Sequence, residues 1–178
     1  GTAAASAVRI ARGMMTQSTP PPSLALLLEA IDRGYDLRSW HGPNLKGSIR
    51  GVSPRHAEWR VAAGRKTIAE QVAHAAYWKY AARRRLRDDP RGSFPLAGSN
   101  WFAIESPLSR GRWKSLIELL ATEHDALREA VAGFPEERLA TTPPGGDVSF
   151  QMLILGVAAH DVYHAGQIQL IKRMRAGL

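Results

Sequence analysis

Four stretches of this chain carry apolar residues at helical spacing, and no run alternates apolar and polar residues with a period of two. A period near 3.6 buries one face of a helix, while a period of two is needed for a half-buried strand. The pattern therefore predicts an all-α protein without sheet. The first stretch runs from Ser23 to about Trp40, with Ser23 as its cap and Leu24, Leu27, Leu28, Ile31, Tyr35 and Leu37 on one side. The second begins at Thr67 and reaches about Arg87. Its opening TIAE is a capping box, in which the Thr67 oxygen and the Glu70 carboxylate satisfy each other's backbone NH groups. The third runs from about Arg112 to Ala132 and presents Trp113, Leu116, Leu120, Leu127 and Val131. The fourth runs from about Ser149 to Arg175.

Two of the connections, about residues 41–66 and 88–111, are long and rich in Gly and Pro. Loops of that length are uncommon in a compact domain unless they serve a function. The expected architecture is a four-helix bundle over residues 23–178, with the long crossover loops roofing a site between the helices. Residues 1–22 are small, basic and proline-ended, and read as a flexible lead-in. The leading Gly without Met reads as a cloning remnant, with the natural start near Met14 or Met15.

Composition narrows the function classes. The 178 residues include no cysteine, so any metal must be held by His, Asp, Glu or water, and any thiol must come from outside the chain. No apolar run approaches the roughly 18 residues of a membrane-spanning helix, so no membrane association is expected and a cytoplasmic location is the default. The formal charge is +8, but the arginines are spread along the chain. The densest run, RRRLR at 83–87, falls at a helix end and has no interleaved aromatics, which argues against a nucleic-acid partner.

The residues that carry chemistry lie in HDVYHAGQI, residues 160–168. His160 and His164 are four apart, so both rings project from one helix face. Leu153, Val157, Ile168 and Ile171 share that face, which points the pair inward. His74, mid-helix in EQVAHAAYW, offers a third imidazole from a neighbouring helix. Two readings stand side by side: three core histidines satisfied by local acceptors, or a three-histidine metal site with an open position for water or substrate.

Several neighbours carry paired readings as well. Gln167, one turn after His164, either orients metal-bound water or substrate or hydrogen-bonds across the bundle. Asp161 is expected to be solvated or paired with an arginine. His124 is expected to be structural, with a supporting role at the site as the lesser reading. Gly166 is expected to permit close helix packing, and Tyr163 to pack in the core with its hydroxyl at the rim, with support of the metal-binding histidines as the lesser reading. Trp59 and Trp101 are candidates for pocket walls, with surface packing as the alternative.

The helix motifs HDVYHAGQI and IAEQVAHAAYW, with the segments WHGPNL and AEWR and with Trp101, resemble the DinB-like superfamily, also called YfiT-like metal-dependent hydrolases. The resemblance covers about residues 24–175. It implies a four-helix bundle with long crossovers and a nickel or zinc ion held by His74, His160 and His164. It also implies a homodimer in many members. The activity it implies is a hydrolase or a low-molecular-weight-thiol-dependent transferase acting on a small molecule, the thiol then being a cofactor. The alternative is a non-catalytic, metal-stabilised bundle that binds a small ligand or a partner. The HDxxH spacing superficially matches the HExxH of metalloproteases, but Asp is a methylene shorter than Glu and a long bundle helix is the wrong setting.

Overall fold

The structure is a computed structural model that describes residues 20–177. Most of the expected lead-in, residues 1–22, lies outside the described residues. Among those described there is no strand, only an isolated bridge between Ser39 and Gly42. Among the described residues no helix is long and apolar enough to cross a membrane. The elements are α1 Pro22–Tyr35, α2 Leu45–Ile49, α3 Pro54–Ala57, α4 Ile68–Leu86, α5 Arg110–Ala132 and α6 Phe150–Ala176, with a single 3-10 turn at Glu136–Arg138.

The long helices start where their caps are. At α4 the capping box forms in full: Glu70 NH donates to Thr67 Oγ1 at 3.1 Å and Thr67 NH donates to Glu70 Oε2 at 2.7 Å. Ser109 caps α5 and Ser149 caps α6 through the same short-range geometry. Helix α1 departs from expectation at both ends. Proline occupies its first turn, Pro21 stands at the cap position, and Ser23 turns away to hydrogen-bond the Glu136 side chain. It ends at Tyr35 rather than Trp40. Leu37 NH returns to the Asp32 carbonyl, and the Ser39 hydroxyl donates to the Arg33 carbonyl at 2.5 Å, so a local turn satisfies the groups that another helical turn would have used. Leu37 and Trp40 are exposed as a result.

The 41–66 connection holds two short helices that the sequence did not suggest. Asn44 caps α2, its side chain accepting from Gly47 NH at 2.8 Å, and Ser53 caps α3 ahead of Pro54. Four or five residues are too few to establish a period, so these turns are legible only from their caps. Helix α2 seals one side of the core with Leu45 and Ile49, packing on α6 and α1.

Helix α4 packs on both α5 and α6, and α1 packs on α6 and α5. Almost all of α4 is buried, and its many alanines let its neighbours approach closely. Gly34 has the same role on α1: a β-carbon there would lie 2.8 Å from the Ala158 carbonyl oxygen of α6. Gly166, expected to serve close packing, is exposed and has nothing within 4 Å of where its β-carbon would be.

The apolar interior forms two clusters. One gathers α2, Ile68–Ala76 of α4, Trp113–Leu120 of α5 and the end of α6; the other gathers α1, the end of α4, Leu127–Val131 of α5 and the start of α6. Between them runs a polar layer with Lys79 on α4, Glu123 and His124 on α5, and His160, Asp161 and His164 on α6. Buried polar groups need partners, so this layer is where the long helices recognise one another chemically.

Candidate functional site

Helix α4 delivers His74, and α6 delivers His160 and His164, each placed by the registers described above. His74 and His164 are buried and His160 is half-buried. One ring nitrogen from each lies within 4.8 Å of the others. The Nε2 atom of His160 is 3.0 Å from Nε2 of His74 and 3.0 Å from Nε2 of His164.

The remaining ring nitrogens show what those contacts mean. His74 Nδ1 lies 2.7 Å from the Asn100 carbonyl oxygen, and His164 Nδ1 lies 3.1 Å from Gln71 Oε1. Both partners are acceptors, so both Nδ1 atoms carry the hydrogen and both Nε2 atoms present lone pairs. His160 Nε2 has at most one hydrogen to offer two lone pairs. The cluster is thus short of a proton at its centre, and a cation there would satisfy all three nitrogens at once.

Electrostatics keep the rings neutral. Burial pushes His160 down to about 4, aided by His74 and Lys79, and pushes His164 down to about 3, aided by His160 and His74. His74 is lowered by burial too, against the raising effect of its bond to Asn100. Neutral imidazole is the form that binds a metal, and three nitrogen donors without thiolate or carboxylate suit a divalent transition metal while leaving coordination open. The donor set fits the group.

The surroundings come from the two long connections. Trp101 stacks flat on the His74 ring, centroids 3.8 Å apart and planes 5° apart. Asn100 serves twice, its carbonyl taking His74 and its side chain taking the Trp78 indole NH at 3.1 Å. Beside His164 opens a cavity of about 510 Å³, lined by Lys66, Gln71, Trp101, Tyr163 and Gln167 among others. Gln167 therefore faces the space next to the histidines. Tyr163, expected in the core, is exposed at the rim of this cavity.

Other expected residues lie elsewhere. Asp161 is neither solvated nor paired with an arginine. It is fully buried and forms an ion pair with Lys79, also fully buried. The reason is geometric: one residue on from His160, it faces α4 at the height of the polar layer. His124 does not reach the histidine cluster; it stacks on Tyr35 with centroids 3.9 Å apart and receives Lys79 Nζ at 3.4 Å on Nδ1. Trp59 lines a separate groove under Arg175 rather than the cavity beside His164.

Three contributors escaped the sequence reading. Gln71 was within reach, since it sits three residues before His74 on the same face of α4. The Asn100 carbonyl and Lys79 carried no local signal.

A family model described as the DinB superfamily matches residues 39–168, more than two thirds of the chain. No curated protein and no solved structure shows a significant match. The matched span runs from α2 through most of α6 and takes in all three histidines together with Gln71, Asn100 and Gln167. On the strength of that span, this chain belongs to the DinB superfamily.

Proposed function

We propose that this chain is a metal-dependent enzyme acting on a small molecule, with His74, His160 and His164 holding a divalent nickel or zinc ion. The observation that carries the reading is the convergence of three Nε2 atoms, two of them turned inward by acceptors on their Nδ1 atoms. The frame is read as the four-helix bundle of DinB-like proteins, made of α1, α4, α5 and α6 over residues 23–178, with the long connections as its roof.

A bound ion would act as a Lewis acid and lower the pKa of a water or thiol toward neutrality. The chain's own residues hold and shield the site. Gln71 and the Asn100 carbonyl hold the imidazole orientations, Trp101 covers one face of His74, and Gln167, which lines the cavity, would orient a molecule there. The reaction is either hydrolysis or transfer involving a low-molecular-weight thiol, which the chain cannot supply for want of cysteine. Some arginines are engaged with acids, among them Arg83 with Glu123, Arg87 with Glu129 and Arg138 with Asp88, and these are not free to meet a phosphate backbone. A cytoplasmic homodimer is the accompanying expectation, checked by solution mass.

A second reading, a non-catalytic metal-stabilised ligand binder, draws on the lining of the cavity, which includes no carboxylate to act as acid or base.

The test is metal content by plasma mass spectrometry on untagged protein and on the His160→Ala, His164→Ala double variant. Stoichiometric nickel or zinc that the double variant loses supports the reading. A wild-type protein that takes up no metal on reconstitution returns the histidines to a structural role. Turnover of ester and electrophile–thiol panels by the loaded protein then separates the enzyme from the ligand binder.

A further inference from the structure

The cavity beside His164 is lined by positive charge and by no acid. Arg65 and Lys66 line it, and neither Asp nor Glu does. Lys66 is half-buried, and its Nζ lies 4.9 Å from the centre of the Trp101 ring. The other lysines are differently placed: Lys46 meets Asp36, Lys79 meets Asp161, Lys114 meets Glu118, and Lys172 donates to the Ser48 carbonyl. The nearest acid along the chain, Glu70, is paired with Arg60 at 3.0 Å; the Lys66 charge also lowers its pKa from nearby, without an ion pair between the two. A half-buried lysine whose ammonium lies over an indole, and which makes no ion pair among the described residues, can take an anion from outside.

The rest of the wall sets the body of that anion. Val61, Leu170, Ile171 and Met174 line the cavity, and Leu170 and Met174 are exposed there, which is a cost in water that an apolar ligand would relieve. A volume of about 510 Å³ is in the range of small-molecule sites.

We propose that this cavity binds a small organic anion of the carboxylate class, its charged group held by Lys66 and its apolar body lying against Leu170 and Ile171. The inference deepens the reading of the histidine site and rests on it for what the ligand is for, but not for the ligand's charge.

The test is calorimetry with three probes of equal chain length: hexanoate, 1-hexanol and hexylamine. They are titrated into the metal-loaded wild type and into the Lys66→Met, Lys66→Arg and His160→Ala variants. Hexanoate is expected to bind at least about tenfold more tightly than 1-hexanol, and hexylamine least well, because charge-assisted hydrogen bonds are the stronger kind. Lys66→Met is expected to reduce hexanoate to the level of 1-hexanol with metal content and Tm unchanged, and Lys66→Arg to retain the preference. No hexanoate binding, or equal binding of all three probes, overturns the inference. So does hexanoate binding that survives Lys66→Met but vanishes in His160→Ala, which would assign the carboxylate to the metal. A chain that holds no metal yet binds hexanoate through Lys66 refutes the metal reading alone and leaves the anion site standing.

Discussion

Lys79 of α4 and Asp161 of α6 form an ion pair with both side chains shut away from water, beside the residues that bring His74 and His160 together. Burial pushes the Asp161 carboxyl up, against the pull of Lys79, and the second carboxylate oxygen has no partner. Such pairs are costly to break and cheap to replace. Lys79→Met or Asp161→Leu alone is expected to destabilise by about 3–5 kcal/mol, because the partner charge is left buried. The double variant is expected to lie close to wild type. Urea unfolding of the four proteins checks this, and additive single effects would refute the coupling.

His124 makes stability depend on pH. Burial first, then Lys79, Arg128 and Lys46, push it down to about 3 from an ordinary 6.5. It is ringed by Tyr35 and Asp32 of α1 and Lys79 of α4, with Asp161 of α6 on the far side of Lys79. Between about pH 3 and 6.5 the unfolded chain binds the proton and the folded chain does not, so stability rises with pH through that window and levels off above it. His160 and His164, lowered to about 4 and 3, act in the same direction. Metal-free protein is expected to lose stability as pH falls below about 6.5, each such imidazole adding up to about 1.4 kcal/mol per pH unit. His124→Phe, which keeps a ring against Tyr35, should have a shallower slope in denaturation midpoints at pH 5 and 7.5. An unchanged slope would show that this ring titrates normally.

Gln71 turns His164 so that its lone pair faces the other two rings. Groups in this position commonly carry about 10–100-fold in metal affinity. Gln71→Leu is expected to weaken zinc binding by that order in competition with a chromophoric chelator, while Gln71→Glu, which keeps the acceptor, should retain most of it. Equal affinities in all three proteins would mean that the His164 ring is held by packing.

Two glycines separate packing from helix propensity. Gly34→Ala places a β-carbon against the Ala158 backbone and is expected to cost about 1–3 kcal/mol as α1 is forced off α6. Gly166→Ala meets nothing and is expected to stabilise by about 0.5–1 kcal/mol, the ordinary gain on removing a glycine from a helix interior. Thermal melts decide between them, and equal shifts would contradict the close α1–α6 approach.

Whatever depends on neighbours within one or two helical turns could be read from the chain directly. The Thr67–Glu70 capping box, the start of α6, the buried faces of Trp113 to Val131, and the shared face of His160 and His164 are all of this kind, because helical geometry relates residues three and four apart without reference to the rest of the molecule. Local rules failed where local competition was close. Ser23 gave up its cap for Glu136, a turn at Ser39 shortened α1, and α2 and α3 were too short to show a period. The finished site was decided only by tertiary structure. His74 finds its acceptor 26 residues away, His164 finds Gln71 93 residues away, and Lys79 finds Asp161 82 residues away. Spacing along the chain puts two imidazoles side by side. Only the packing of α4 on α6, under a loop that carries Asn100 and Trp101, brings the third to them, because a buried polar atom must be satisfied by whatever the fold brings within reach.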